Sequence, residues 1–198
     1  MGRPRTFEAE TVVDRAMRRY WRTGYEATSI QDLVEATGLN RGSLYGAFGG
    51  KHALLLATLD RYRRAVVGPW LATLDDSGAG ANQLRRFLAT LAASATADPE
   101  RRGCLLVNMA VERAAEDPAV GERVRDYLAG LEDGFARALR RPPPAGGREP
   151  DGRAAAKLLV AAVLGMLVLA RLGANRDELG AVAGAALDAV EHSVEDVE

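Results

Sequence analysis

Apolar residues recur along most of the chain at three- and four-residue intervals, and no stretch alternates apolar and polar residues as a half-buried strand would. Residues 6–22 open the series, with Val13, Ala16, Met17, Tyr20 and Trp21 at offsets 0, 3, 4, 7 and 8 of one helical face. Gly24 ends that helix. Ile30, Leu33 and Val34 form the next apolar face. Ser29 stands before it as an N-cap, Asp32 completes a capping box, and Gly38 supplies a left-handed stop. Asn40 then caps a short helix whose inward residues, Leu44 and Phe48, lie one turn apart. A fourth helix runs over residues 51–67, with Leu55, Leu59, Tyr62 and Val66 on one side, and Gly68-Pro69 is expected to break it. Further helices are expected over residues 82–96, 103–116, 118–140, 152–172 and 176–195. Residues 75–80, Pro99 to Gly103, and the run Pro142-Pro143-Pro144 with Gly146-Gly147 separate them. The pattern predicts an all-α protein of about nine helices, a three-helix head followed by a larger helical body. The division is placed at residues 1–50 and 51–198.

The outward side of the helix after Asn40 departs from core chemistry. At helical spacing, Gly42 and Gly46 lie opposite Leu44 and Phe48, flanked by Ser43 and Tyr45. Each glycine costs a helix about 1 kcal/mol against alanine. Filling a core does not require them, but close approach of the helix backbone to another surface does. Arg41 extends from the first turn, as a helix entering a DNA major groove requires. Gly50 is expected to cap the next helix, leaving the cation of Lys51 at its first position against the helix dipole. An anion gripped there by Lys51 and the free backbone N–H groups resolves that conflict.

Residues 28–51 resemble the DNA-binding segment of TetR-family transcriptional regulators. The family pattern of a T-[ST] helix start, a G-[VL]-[ST]-x-[GA]-[ST]-[LI]-Y turn and recognition helix, and H-F-x-x-K is matched by Thr28-Ser29, by Gly38-Leu39-Asn40-Arg41-Gly42-Ser43-Leu44-Tyr45, and by Ala47-Phe48-Gly49-Gly50-Lys51. Asn40 replaces the usual Ser or Thr with an equivalent cap. Ala47 replaces the usual His or aromatic residue and removes one backbone contact. The resemblance implies an N-terminal helix-turn-helix domain, a C-terminal effector-binding and dimerisation domain, and binding to double-stranded DNA at an inverted-repeat operator, most simply as a repressor. Arg41 and the backbone around Gly42 are then expected to read bases, and Ser43, Tyr45, Thr28, Ser29 and Lys51 to hold phosphates. Arg3 and Arg5, on an arm that Pro4 is expected to keep non-helical, are expected to follow phosphates or enter the minor groove.

Charge agrees with this division. Residues 1–64 carry 11 Lys/Arg against 7 Asp/Glu, a net +4, and residues 65–198 carry 15 against 20, a net −5. Only the head has the sign that meets phosphate. The single cysteine excludes an internal disulfide framework and multi-cysteine zinc patterns. The N-terminus has no apolar signal-peptide core, and the longest apolar run, residues 158–170, is 13 residues against the ~20 that span a bilayer. A cytoplasmic protein without membrane contact is expected. No metal site, cofactor or catalytic constellation is expected either, since His52 and His192 have no nucleophile or metal partner nearby in sequence.

The body carries one distinctive segment. Residues 101–112, RRGCLLVNMAVE, resemble a G-C-L-x-V-N-x-x-x-E segment of one group of TetR-like regulators, some of which sense electrophiles or oxidants through that cysteine. Cys104 near a helix N-terminus, with Arg101 and Arg102 adjacent, has features that favour a thiolate, whereas Leu-Leu-Val after it suits a buried apolar residue. Cys104, Asn108 and Glu112 share one helical face, with Met109 beside them. This stripe is expected either to line the cavity of an unidentified small-molecule effector or to hydrogen-bond a neighbouring helix. The last two helices are rich in small residues, among them Ala161, Gly165, Ala181, Gly184 and Ala185, which suit either close packing within one subunit or a four-helix interface between two, and the resemblance implies the latter, homodimerisation through these helices.

Overall fold

The computed structural model describes residues 4–74, 80–139 and 152–195, all of them helix or connecting turn. The elements are α1 (Pro4–Thr23), α2 (Ile30–Thr37), α3 (Arg41–Phe48), α4 (Lys51–Tyr62), a π-helical turn (Arg63–Val67), α5 (Gly68–Ala72), α6 (Ala81–Ala97), α7 (Leu105–Glu112), α8 (Pro118–Leu139), α9 (Arg153–Leu172) and α10 (Arg176–Glu195). With α4, the π turn and α5 taken as one continuous run, the described residues form nine rods.

Helix α7 is shorter than the 103–116 expected, ending at Glu112, and two boundaries nearer the N-terminus also differ from the pattern of the sequence. Helix α1 begins at Pro4 rather than after residue 5. A proline in the first turn removes an N–H that has no helical partner there anyway. Gly68-Pro69 also fails to end the fourth helix. Pro69 cannot donate to a carbonyl one turn back, and the helix widens into the π turn before it and continues through Ala72.

The chain packs as two compact units, residues 1–67 with 104–125, and residues 68–103 with 126–198. The first unit therefore extends past residue 50 and takes in α7 from the distant body sequence. In this unit α1 packs on α2 and α4, α3 sits between α2 and α4, and α7 packs on α1 and α4. Ala16, Tyr20, Leu33, Leu44, Leu54 and Leu55 are completely buried and form its centre. Trp21 meets Tyr62 edge to face at 4.9 Å, and a bidentate pair from Arg61 to Asp14 (2.8 and 3.2 Å) fixes α4 along α1.

In the second unit α10 packs on α6 and α9, and α6 packs on α9. Its core includes Leu84, Leu88, Phe135, Leu159, Met166 and Leu179, with Phe87 edge-on to Phe135 at 5.3 Å. Helix α9 is longer than the 13-residue apolar run on which the length argument rests. Its 20 residues include the alanines and leucine flanking that run, so by length and composition it is apolar enough to cross a membrane. Within this unit it packs on α6 and α10 through Ala156, Leu159, Val163, Met166, Leu167 and Ala170.

Candidate nucleic-acid interface

Three consecutive local signals build the head. The Ser29 hydroxyl accepts from the Asp32 N–H at 3.1 Å, and the Asp32 carboxylate accepts from the Ser29 N–H at 2.8 Å. That N–H, with help from Arg19 at 2.7 Å, holds the Asp32 carboxyl below its ordinary pKa. Gly38, at φ 76°, ends α2, where Arg15 donates to the Thr37 carbonyl at 3.2 Å. The Asn40 side chain then accepts from the Ser43 N–H at 2.8 Å and starts α3. Arg15 and Arg19 are thus engaged in fastening α2 to α1.

Helix α3 presents almost its whole circumference to solvent. Leu44 is completely buried and Phe48 half-buried, while Arg41, Gly42, Ser43, Tyr45, Gly46 and Ala47 are exposed. A β-carbon at Gly46 would meet nothing within 4 Å, and one at Gly42 would make an ordinary 3.5 Å contact with Asn40 Oδ1. Neither glycine is required by packing against the described residues. The Arg41 guanidinium lies 5.8 Å from the centre of the Tyr45 ring. That ring also covers Gly50, where a β-carbon would approach Tyr45 Cε1 to 3.3 Å, and Gly50 has φ 135°. The positive φ is what favours glycine at Gly50.

Lys51 occupies the first position of α4, whose N-cap makes no side-chain hydrogen bond, in contrast to α2 and α3. Its ammonium rests 4.1 Å from the centre of the Tyr25 ring, and its carbonyl accepts the Tyr20 hydroxyl at 2.8 Å. Burial, with the neighbouring Tyr25, pushes the Tyr20 phenol well above its ordinary pKa. The cation is held ready at the helix start without an acidic partner in that contact.

Thr28 departs from the expectation of a phosphate contact. Its side chain is completely buried, its hydroxyl donates to the Gly24 carbonyl at 2.6 Å and lies 2.8 Å from the Thr23 hydroxyl, and its N–H is donated to Tyr25. It closes the α1–α2 turn. Arg3 and the side chain of Arg5 lie outside the described residues.

In the distinctive body segment, Cys104 is the N-cap residue of α7 and only 4% exposed, and Met109 is fully buried. Asn108 is half-buried. Glu112, the last residue of α7, reaches the head, where its carboxylate accepts the N–H groups of Tyr25 (3.1 Å) and Glu26 (2.8 Å). Beside it Arg113 pairs with Glu26 at 2.5 Å and lies 5.1 Å from the Tyr25 ring centre. One further pairing here was not legible in the sequence. His52 Nε2 lies 2.7 Å from an Asp117 carboxylate oxygen, while the other oxygen accepts the Ala119 and Val120 N–H groups at 3.2 Å. Burial raises the Asp117 carboxyl, but these hydrogen bonds outweigh it and leave its pKa below the ordinary value. A separation of 65 residues between His52 and Asp117 leaves no periodic signal to find. Among the described residues no group of three His, Cys, Asp or Glu is arranged to hold a metal.

A capped α2, a tight turn, and an α3 that exposes Arg, Ser, Tyr and two glycines over a single buried leucine define a helix-turn-helix DNA-binding transcriptional regulator. Comparison with known proteins agrees. The model of the bacterial regulatory proteins, tetR family, matches residues 12–58, and that of the transcriptional regulator LmrA/YxaF-like C-terminal domain matches residues 80–185. The HTH-type transcriptional repressor ComR of Escherichia coli (strain K12) is 31% identical over 189 residues, covering 94% of this chain and 90% of that protein. A cysteine mutant of the TetR family regulator CifR, solved in complex with 26-bp double-strand operator DNA, superposes with a TM-score of 0.72 at 29% identity, covering 91% of this chain and 95% of that one. A TetR regulator from Chloroflexus aurantiacus gives 0.78 at 26% identity, over 94% and 95%. The chain belongs to the TetR family of transcriptional regulators.

Proposed function

We propose that this protein is a ligand-responsive repressor that binds an inverted-repeat operator as a homodimer and leaves it when a small molecule occupies the C-terminal domain. The observation that carries this reading is the exposed face of α3, whose glycines are not required by packing against the described residues. Arg41 and the backbone at Gly42 read base edges, while Ser29, Ser43, Tyr45 and Lys51 hold phosphates, with Arg3 and Arg5 adding cations from the N-terminal end. The repressor relatives and the operator complex of CifR support the same reading.

Dimerisation rests on the outer faces of α9 and α10. Leu158, Ala161, Gly165, Val168 and Leu172 recur at three- and four-residue intervals along α9, apart from its buried stripe, and Leu172 is 77% exposed. On α10 a β-carbon at Gly180 or Gly184 would meet nothing within 4 Å. A second copy would bury this apolar face and allow the small residues a close helix approach, and two-fold symmetry would give one recognition helix per half-site. The test is titration of a labelled duplex taken from DNA flanking the protein's own gene, followed by the mass of the complex. Saturable, salt-sensitive binding by pairs of chains supports the proposal, and binding indifferent to sequence sinks it.

Lys51→Ala is expected to weaken binding evenly across sequences and to reduce the slope of log K against log salt by about one phosphate. An unaltered slope removes Lys51 from the contact set.

A second reading, a thiol switch at Cys104, draws on its place at the N-terminus of α7. Its burial favours the non-covalent ligand. Treatment with a thiol oxidant is therefore expected to leave the operator affinity of wild type equal to that of Cys104→Ser. Release of wild type alone would reverse the order of the two readings.

A further inference from the structure

Helix C-termini favour cations, because the last carbonyl groups already concentrate negative charge. Glu112 breaks this rule at the final position of α7. The compensation comes from outside the helix. Both carboxylate oxygens are engaged by consecutive backbone N–H groups of the α1–α2 turn, at 3.1 Å from Tyr25 and 2.8 Å from Glu26. The turn is shaped to receive it. Gly24 has φ 81°, and a β-carbon there would come within 2.8 and 2.9 Å of the two Glu112 oxygens. Adjacent contacts reinforce the hold, with Arg113 on Glu26 and on the Tyr25 ring, and the Lys51 ammonium on that same ring.

We propose that Glu112 is a positioning residue of the DNA-binding head. Its carboxylate fixes the α1–α2 turn, which sets where α2 begins, where Tyr25 supports Lys51, and so how α3 and the start of α4 are presented together. Glu112 belongs, on this view, to the operator-binding machinery and not to an effector cavity. The inference rests on the proposed DNA binding, but part of it can be measured without DNA.

The sign of the effect separates positioning from simple electrostatics. Removing a negative charge from a DNA-binding protein should strengthen its attraction to phosphate. Loss of a positioning residue should weaken it. Amide hydrogen exchange by NMR on the free protein first tests the clamp. Glu112→Ala is expected to speed exchange at Tyr25 and Glu26 at least ten-fold relative to other α1–α2 amides, and Glu112→Gln, which keeps one carbonyl acceptor, to produce a smaller change. Anisotropy titrations over a salt series with the flanking-DNA duplex then test positioning. Glu112→Ala is expected to lose roughly 5- to 50-fold in affinity with an unchanged salt slope, with Glu112→Gln in between. Because Glu112→Gln is nearly isosteric, it preserves the test should the alanine variant fail to fold. Affinity that is unchanged or raised in the folded variant overturns the proposal, as does exchange at the two amides that matches wild type. Failure of wild type to bind any duplex would refute the function reading itself, and it is recognised separately because the exchange measurement needs no DNA.

Discussion

Arg41→Ala is expected to reduce operator affinity by about 1–3 kcal/mol, roughly 5- to 150-fold, and to relax specificity at one base position per half-site. The side chain is exposed at the first turn of α3, and its described contact within the chain is with the Tyr45 ring at 5.8 Å. Such a stacking contact contributes about 0.5–1 kcal/mol at an exposed site, so thermal stability should change little. A bidentate contact of guanidinium to guanine, lost on truncation, predicts a large and sequence-dependent effect. The check is a titration series of duplexes with single base-pair changes, with wild type and variant compared at one salt concentration. An equal loss at every sequence would reassign Arg41 to the phosphate backbone, and no loss would remove it from the interface.

Gly46→Ala is expected to move stability and function in opposite directions. A β-carbon there enters open space, and replacing a mid-helix glycine gains about 1 kcal/mol, equivalent to a rise in Tm of about 2–4 °C for a domain of this size. If α3 lies close against DNA, the same methyl group intrudes between helix backbone and duplex and weakens operator binding by about ten-fold or more, about 1.4 kcal/mol. Melting curves and titrations on the same preparation measure both. Greater stability with unchanged affinity would show that the glycine face does not meet DNA closely. A stability gain accompanied by lost function is the signature of a site that departs from its local optimum for a partner.

The local frame of the head was legible because its signals are short-range. Ser29 and Asp32, Gly38, and Asn40 with Ser43 act over three or four residues, and each forms the cap or stop that its spacing implies. The inward and outward sides of α3 follow from helical periodicity in the same way, with Leu44 buried and both glycines exposed. The contact expected of Thr28 falls on a side chain that the structure buries, because a T-S helix start does not reveal which hydroxyl remains outside. Ser29 caps and stays exposed, while Thr28 turns inward to Gly24 and Thr23. The break expected at Gly68-Pro69 was misplaced because a helix can absorb a missing donor by widening into a π turn.

Sequence alone determined the class of protein. An amphipathic repeat at helical spacing, a cap–turn–cap sequence, and a basic head on an acidic body are written within a few residues or in composition, and they lead to an all-α protein with a DNA-facing head, to which the motif of residues 28–51 adds the resemblance to the TetR family. What tertiary structure decided is how distant residues meet. Glu112 is 87 residues from Tyr25 and Asp117 is 65 from His52, yet these pairs tie α7 and the start of α8 to the head. The stripe of Cys104, Asn108 and Glu112 was equally consistent with a ligand cavity and with a hydrogen-bonded neighbour, because periodicity assigns residues to a face but says nothing of what that face meets. In the structure the Glu112 carboxylate meets the α1–α2 turn. A carboxylate at a helix C-terminus needs donors, and the fold supplied two from a turn that glycine leaves open.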